Sequence, residues 1–190
     1  MNMLAVARLF AIAIIGCLST SVSARSNKLE HVISCALGAN HSESVSVNRG
    51  NKIANTHVYY LQRDHDSKLV FDGEESNSRG QSVSVGCVGK SEYVMILSGE
   101  FTANYVQGFA IRYNTLKKEW ERIDFAEKAR PQWVYINNQE MMVVIPNIGF
   151  EMDKRFIVYR FVAGRGADEE SFSSDTLPNS TDYQVIRIEH

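Results

Sequence analysis

Twelve short runs rich in Val, Ile, Tyr and Phe, most of them separated by turn signals, leave this chain few ways to fold. They are Val32–Leu37, Ser44–Asn48, His57–Gln62, Lys68–Asp72, Ser82–Val88, Glu92–Leu97, Phe109–Tyr113, Glu119–Phe125, Gln132–Asn137, Glu140–Ile145, Arg155–Val162 and Tyr183–Glu189. β-Branched and aromatic side chains suit a pleated, half-buried surface. The breaks carry Gly, Asn, Ser and Asp, as in Asn48-Arg49-Gly50-Asn51, Asp72-Gly73 and Asn147-Ile148-Gly149. No long stretch shows the 3.6-residue period of an amphipathic helix; Ile123–Arg130 has room for one helical turn before Pro131. Parallel strands need crossovers of a dozen or more residues, so runs this closely spaced pair antiparallel. The expectation is an all-β antiparallel meander of about 10–12 strands, forming a β-sandwich or flattened barrel.

A weak repeat offers an alternative. Three stretches beginning near Val32, Val83 and Gln132 share an order of strands, with Cys35 and Cys87 at similar places in the first two. A period near 50 residues is compatible with three four-stranded units in a β-trefoil or a small propeller-like array.

The first 24 residues differ from the rest. Arg8 is their one charged residue, Leu9–Leu18 is apolar, and Val22-Ser23-Ala24 precedes Arg25. This is the three-part pattern of a secretory signal peptide. Ten apolar residues fall short of the about 20 that span a bilayer as a helix. The domain expectation is a signal peptide over 1–24 and a single all-β domain over 25–190, exported to the periplasm or secreted. Ile14-Ile15-Gly16-Cys17 resembles a lipobox; processing there would tether the protein to a membrane through Cys17. Loss of residues 1–24 removes one basic residue and no acidic one, so the formal net charge moves from −2 to −3. Cys35 and Cys87 then remain, an even number in an oxidising compartment, and are expected to form a disulfide.

Composition and motifs exclude more than they assign. A net charge of −2 carries no basic footprint for nucleic acid. The chain holds no Gly-x-Ser-x-Gly elbow, phosphate loop, His-Glu-x-x-His or Cys-x-x-Cys. The five histidines show no metal-ligand spacing. Asp64, Asp66 and Glu75 match three positions of a calcium loop, but Leu69 stands where that loop requires Gly. No catalytic residue, metal or cofactor is expected.

The expected contact residues are of two kinds. Asp168, Glu169 and Glu170 lie in the long polar segment 163–182, and an acidic loop can enter a basic cleft on another protein. Trp133 and Tyr135 share one face of a strand whose other face is also apolar. That strand is either covered on both sides or open to a partner. The segment Ile33–Gly38 resembles the opening of small periplasmic β-proteins of Gram-negative bacteria, lysozyme-inhibitor types among them; the likeness spans a few residues and carries no functional motif. The functional expectation is an exported, non-catalytic binding protein of the bacterial envelope, such as an inhibitor or immunity protein acting on a hydrolase or toxin. The alternatives are a carbohydrate-binding or adhesive module using exposed aromatics, and a secreted enzyme with dispersed catalytic residues.

Overall fold

The computed structural model describes residues 29–149, 153–162 and 169–189, which include two short 3-10 turns. The thirteen strands are β1 (Glu30–Leu37), β2 (Glu43–Arg49), β3 (His57–Arg63), β4 (Asp66–Leu69), β5 (Arg79–Gly89), β6 (Tyr93–Thr102), β7 (Tyr105–Asn114), β8 (Glu119–Glu127), β9 (Trp133–Ile136), β10 (Glu140–Pro146), β11 (Phe156–Val162), β12 (Glu169–Ser174) and β13 (Gln184–Arg187). The fold is all-β, and every pairing between strands is antiparallel. No helix among the described residues is long and apolar enough to cross a membrane.

Eight strands form one sheet in the order β1-β2-β3-β5-β6-β7-β8, with β4 paired to β3; five form another in the order β12-β11-β10-β9-β13. β3 and β5 share two residue pairs, His57↔Gly80 and Val58↔Arg79. The large sheet turns a corner there, because so short a ladder leaves its two halves free to face each other. One core lies between them, built from Leu37, Val45, Val47 and Leu61 on one side and Met95, Leu97, Phe109 and Ile111 on the other. Cys35 on β1 and Cys87 on β5 are disulfide-bonded across this gap, with Cα atoms 5.6 Å apart.

A second core lies on the opposite face of β6–β8. There Val94, Ile96, Ala110, Ile123 and Phe125 meet Val134, Ile136, Met141, Val143 and Ile145. The molecule is thus three stacked meanders: β1–β4, β5–β8 and β9–β12, the last joined by β13. These coincide with the three stretches of the weak repeat. A trefoil would bring all three units onto one shared core. Here the middle unit is covered on both faces, and no core among the described residues joins the first unit to the third.

Two local expectations change, and the hairpin tip at Asp64–His65 is where the sequence places it. The segment Ile123–Arg130 forms no helical turn; β8 continues through Glu127 because each of its residues from Glu119 onward pairs with β7. The long segment after Val162 contains an edge strand, β12, held by backbone pairing to β11 from Phe156↔Ser174 to Phe161↔Glu169. Asp64 and His65 form the tip between Arg63 and Asp66, which face each other across the hairpin β3–β4. Among the described residues no group of His, Cys, Asp and Glu is placed to hold a metal ion.

Candidate functional site

Both aromatic contact residues proposed from sequence belong to the packing of the third meander. Tyr135 is 2% exposed and its ring meets Tyr183 edge-on at 6.0 Å. Burial pushes its phenol above the ordinary tyrosine range. Trp133 is half-buried and packs edge-on against Phe156 at 5.7 Å. Met142, Val144 and Val158 complete this outer core. The connection from β12 to β13 must cross the width of the sheet, since those strands are its two edges, and Tyr183 at its end lies on the outer core. That crossing explains why β9 and β10 are apolar on both faces.

The acidic group lies elsewhere. Asp168 falls outside the described residues. Glu169 opens β12, and Glu170 follows it in an exposed position opposite Arg160. Two strands, β11 and β10, separate them from Trp133 and Tyr135 on β9.

Charged groups do converge inside the protein, between the second and third meanders. The Arg112 side chain is 1% exposed and that of Glu121 is fully buried. Arg112 Nε donates to Glu121 Oε2 at 2.5 Å, Nη1 to Glu92 Oε2 at 3.1 Å and Nη2 to the Glu140 carbonyl at 3.2 Å. Asn114 Nδ2 donates to the other Glu121 oxygen at 2.7 Å. The Glu140 carboxylate accepts from Arg160 Nε and from the Tyr183 hydroxyl. Both Glu121 oxygens therefore have donors. Such a satisfied network fixes how two sheets meet.

Three adjoining depressions surround the tip of the β6–β7 hairpin, apart from a groove of about 740 Å³ beside β13. The first, about 320 Å³, lies between Tyr105, the turn Pro146–Gly149 and β12, and is lined by Ile148, Phe172, Glu127 and Lys128 among others. Three of the protein's exposed large apolar side chains meet around it: Tyr105 at 45%, Ile148 at 62% and Phe172 at 46%. Tyr159 Oη donates to Glu127 at 2.7 Å, so this carboxylate is fixed at the rim. β12 pairs with β11 alone among the described strands and presents an open backbone edge beside the depression. The second depression, about 510 Å³, contains Phe71, Phe101, Gln107, Arg122 and Asp124. Its arginine is committed: Arg122 Nε and Nη2 bind Asp124, and Nη2 also donates to the Val70 carbonyl at 2.7 Å. The third, about 610 Å³, lies on the other side of Phe101 and shares Tyr105 and Lys128 with the first.

Sequence reasoning passed over Tyr105, Ile148 and Phe172. The available signals were local: a lone aromatic in Ser171-Phe172-Ser173, and an apolar residue inside the turn Asn147-Ile148-Gly149. Neither signal shows that the two turns and the strand meet in space. Comparison with known protein families, with curated proteins and with solved structures found no match for this chain.

Proposed function

We propose that this chain is an exported, non-catalytic binding protein of the bacterial envelope, and that it takes an extended segment of a partner protein along β12. One observation carries this reading: Tyr105, Ile148 and Phe172 stand exposed around one depression at the open edge of a strand. A free edge supplies backbone donors and acceptors for an added strand, while alternate side chains of that strand enter a flanking pocket. Exposed aromatic and aliphatic anchors of this kind supply most of the energy of such interfaces. β12 opens with Glu169 and Glu170, so a segment carrying Lys or Arg would suit its first half. The Cys35–Cys87 disulfide agrees with an oxidising compartment. An inhibitor or immunity protein for an envelope hydrolase or toxin fits this mode of contact.

The test is site-specific photocrosslinking in living cells that express the full chain. A crosslinking residue at position 172 is expected to trap one envelope protein. The same residue at Leu116, exposed on the β7–β8 turn, is expected to trap none. The double substitution Ile148→Ser, Tyr105→Ser should abolish the adduct from position 172. No adduct at 172, or equal adducts at 172 and 116, overturns the proposal.

A further inference from the structure

The third depression is lined by two cations, half-buried Arg79 and exposed Lys128, that have no partner among the described residues. It lies between the β3–β5 corner, the hairpin tip from Glu100 to Val106, and Lys128 just beyond β8. Arg79 and Lys128 line it, together with Thr56, Thr102 and Asn104. Neither the Arg79 guanidinium nor the Lys128 ammonium forms an ion pair or a hydrogen bond among the described residues. For Arg79 this includes a buried Nε without an acceptor. Half-burying a guanidinium without a counter-charge is unfavourable, and structures seldom leave such a group unmatched. The single carboxylate in the cleft, Glu100, already accepts from Gln81 Nε2 at 2.7 Å.

The backbone is built to aim Arg79 there. Gln81 pairs with Glu100 and Ser84 with Ser98, so Ser82 and Val83 together face Gly99. This is a β-bulge, and Ser82 adopts a left-handed φ of 52° to make it. An extra residue reverses the alternation of side chains. Beyond the bulge, Val83 and Val85 point into the first core. Before it, the residue pointing that way is Gly80, which lies flat against the Phe101 ring: a Cβ on it would come within 2.6 Å of that ring. Arg79 and Gln81 consequently point outward, into the cleft. Arg130 fixes the bulge, with Nη2 donating to the Ser82 carbonyl at 2.5 Å and Nη1 to the Ser98 carbonyl at 2.9 Å. A second irregularity, between Gly99 and Thr102 on β6, shapes the opposite wall.

We infer that this cleft binds an oxyanion, a carboxylate or phosphate group of a small ligand, with Arg79 as the bidentate donor and Lys128 as the second cation. The guanidinium fork matches either group, and both are strengthened by a second positive charge. The inference does not rest on the β12 proposal: the anion site would stand if no protein partner docked, and the reverse holds too.

The test is calorimetric titration of protein made from the full chain, at low ionic strength, with inorganic phosphate and separately with citrate. Saturable binding of at least one, below about 10 mM, is expected. Binding of phosphate alone assigns a phosphate ligand, and of citrate alone a carboxylate. Arg79→Gln should weaken binding about tenfold or more, as loss of a charge-assisted pair does. Lys128→Gln should weaken it about threefold and Glu100→Gln should tighten it, because both alter the field in the cleft. Lys90→Gln, on a separate groove beside β13, should change nothing. Circular dichroism establishes that each variant is folded, and Lys128→Gln and Glu100→Gln carry the test if Arg79→Gln is not. Absence of saturation by either anion overturns the inference. So does binding that folded Arg79→Gln leaves intact, or binding that Lys128→Gln and Glu100→Gln both leave intact.

Discussion

The middle meander is held by different means on its two faces. Towards β1–β4 the contact is aromatic and aliphatic, closed by a covalent bond: Phe71 meets Phe101 and Phe109 edge-on, and Cys35 is bonded to Cys87. Towards β9–β13 the contact is mostly aliphatic in the centre and hydrogen-bonded at one end, where Arg112, held in place by Glu121 and Glu92 of its own meander, donates to the Glu140 carbonyl. The difference follows from connectivity. β1 is an edge strand far in sequence from β5, so a cross-link between them shortens a loop of 52 residues in the unfolded chain. β8 and β9 are neighbours in sequence and need no such restraint. What that second interface needs is register, which directional hydrogen bonds to a buried guanidinium supply and apolar packing does not.

The largest effect is expected from Arg112→Met. Glu121 would remain buried without its cation, and the Glu140 carbonyl would lose a donor. Breaking a buried pair from one side costs about 3–5 kcal/mol. Chemical denaturation should show this loss in the midpoint with an unchanged slope, because the damage is in the folded state. The double variant Arg112→Met, Glu121→Met should recover much of it, since the charge left without a partner, Glu92, is partly solvent-exposed rather than buried. A single variant as stable as the wild type would show that the two interfaces are held alike.

The disulfide is expected to act on the other side of the equilibrium. Replacing Cys35 and Cys87 with Ser should destabilise the protein by about 4 kcal/mol in the chain-entropy model. Here the denaturation slope should rise, because a chain without the cross-link exposes more surface when unfolded. An unchanged slope would place the effect in the folded state and erase the contrast with Arg112.

A smaller loss tests the apolar part of the second interface. Gly108 on β7 lies under the Phe125 ring, and a Cβ there would come within 2.1 Å of the Leu97 backbone carbonyl. The carbonyl belongs to the β6–β7 ladder and cannot move away cheaply. Gly108→Ala should cost about 1–3 kcal/mol, the usual range for overpacking. A neutral result by thermal denaturation would mean that the β6–β7 ladder yields at this point.

The fold was legible because period and turn chemistry are local properties. Runs such as Glu140–Ile145 and Gln132–Asn137 name their own conformation, and the two cysteines beyond the first 24 residues had one pairing to make with each other. β12 was not legible, since Glu-Glu-Ser-Phe-Ser-Ser has neither the β-branched content nor the alternation of a strand; it is one only because β11 offers it an edge. The concave surface was hidden for a similar reason. Tyr105, Ile148 and Phe172 are far apart in sequence, and Arg79 faces outward only because a bulge three residues later reverses the alternation. Trp133 and Tyr135 were visible as a doubly apolar strand, but nothing in their own segment announces that the β12–β13 connection crosses the sheet to cover them.

The smallest effect expected is at the outer edge of the covalently closed interface, where β1 pairs with β2. Arg49 Nη2 donates to Glu30 Oε1 at 2.7 Å and Nε to Oε2 at 3.0 Å. This hydrogen bonding, aided by the positive charge of Arg49, holds the Glu30 carboxyl below the ordinary glutamate range. A folded-state value below the unfolded one means the pair contributes fully above the unfolded value, and its contribution is lost as pH falls through the folded one. Both groups are solvent-exposed, so salt should screen the effect as well. Amide protection at the start of β1, taken relative to the intrinsic exchange rate at each pH, should therefore fall on acidification, ahead of protection in the cores. Glu30→Gln should show the lower protection throughout and lose that pH step. If the wild type and Glu30→Gln respond to acid identically, this end of β1 is held by its backbone ladder and the disulfide alone.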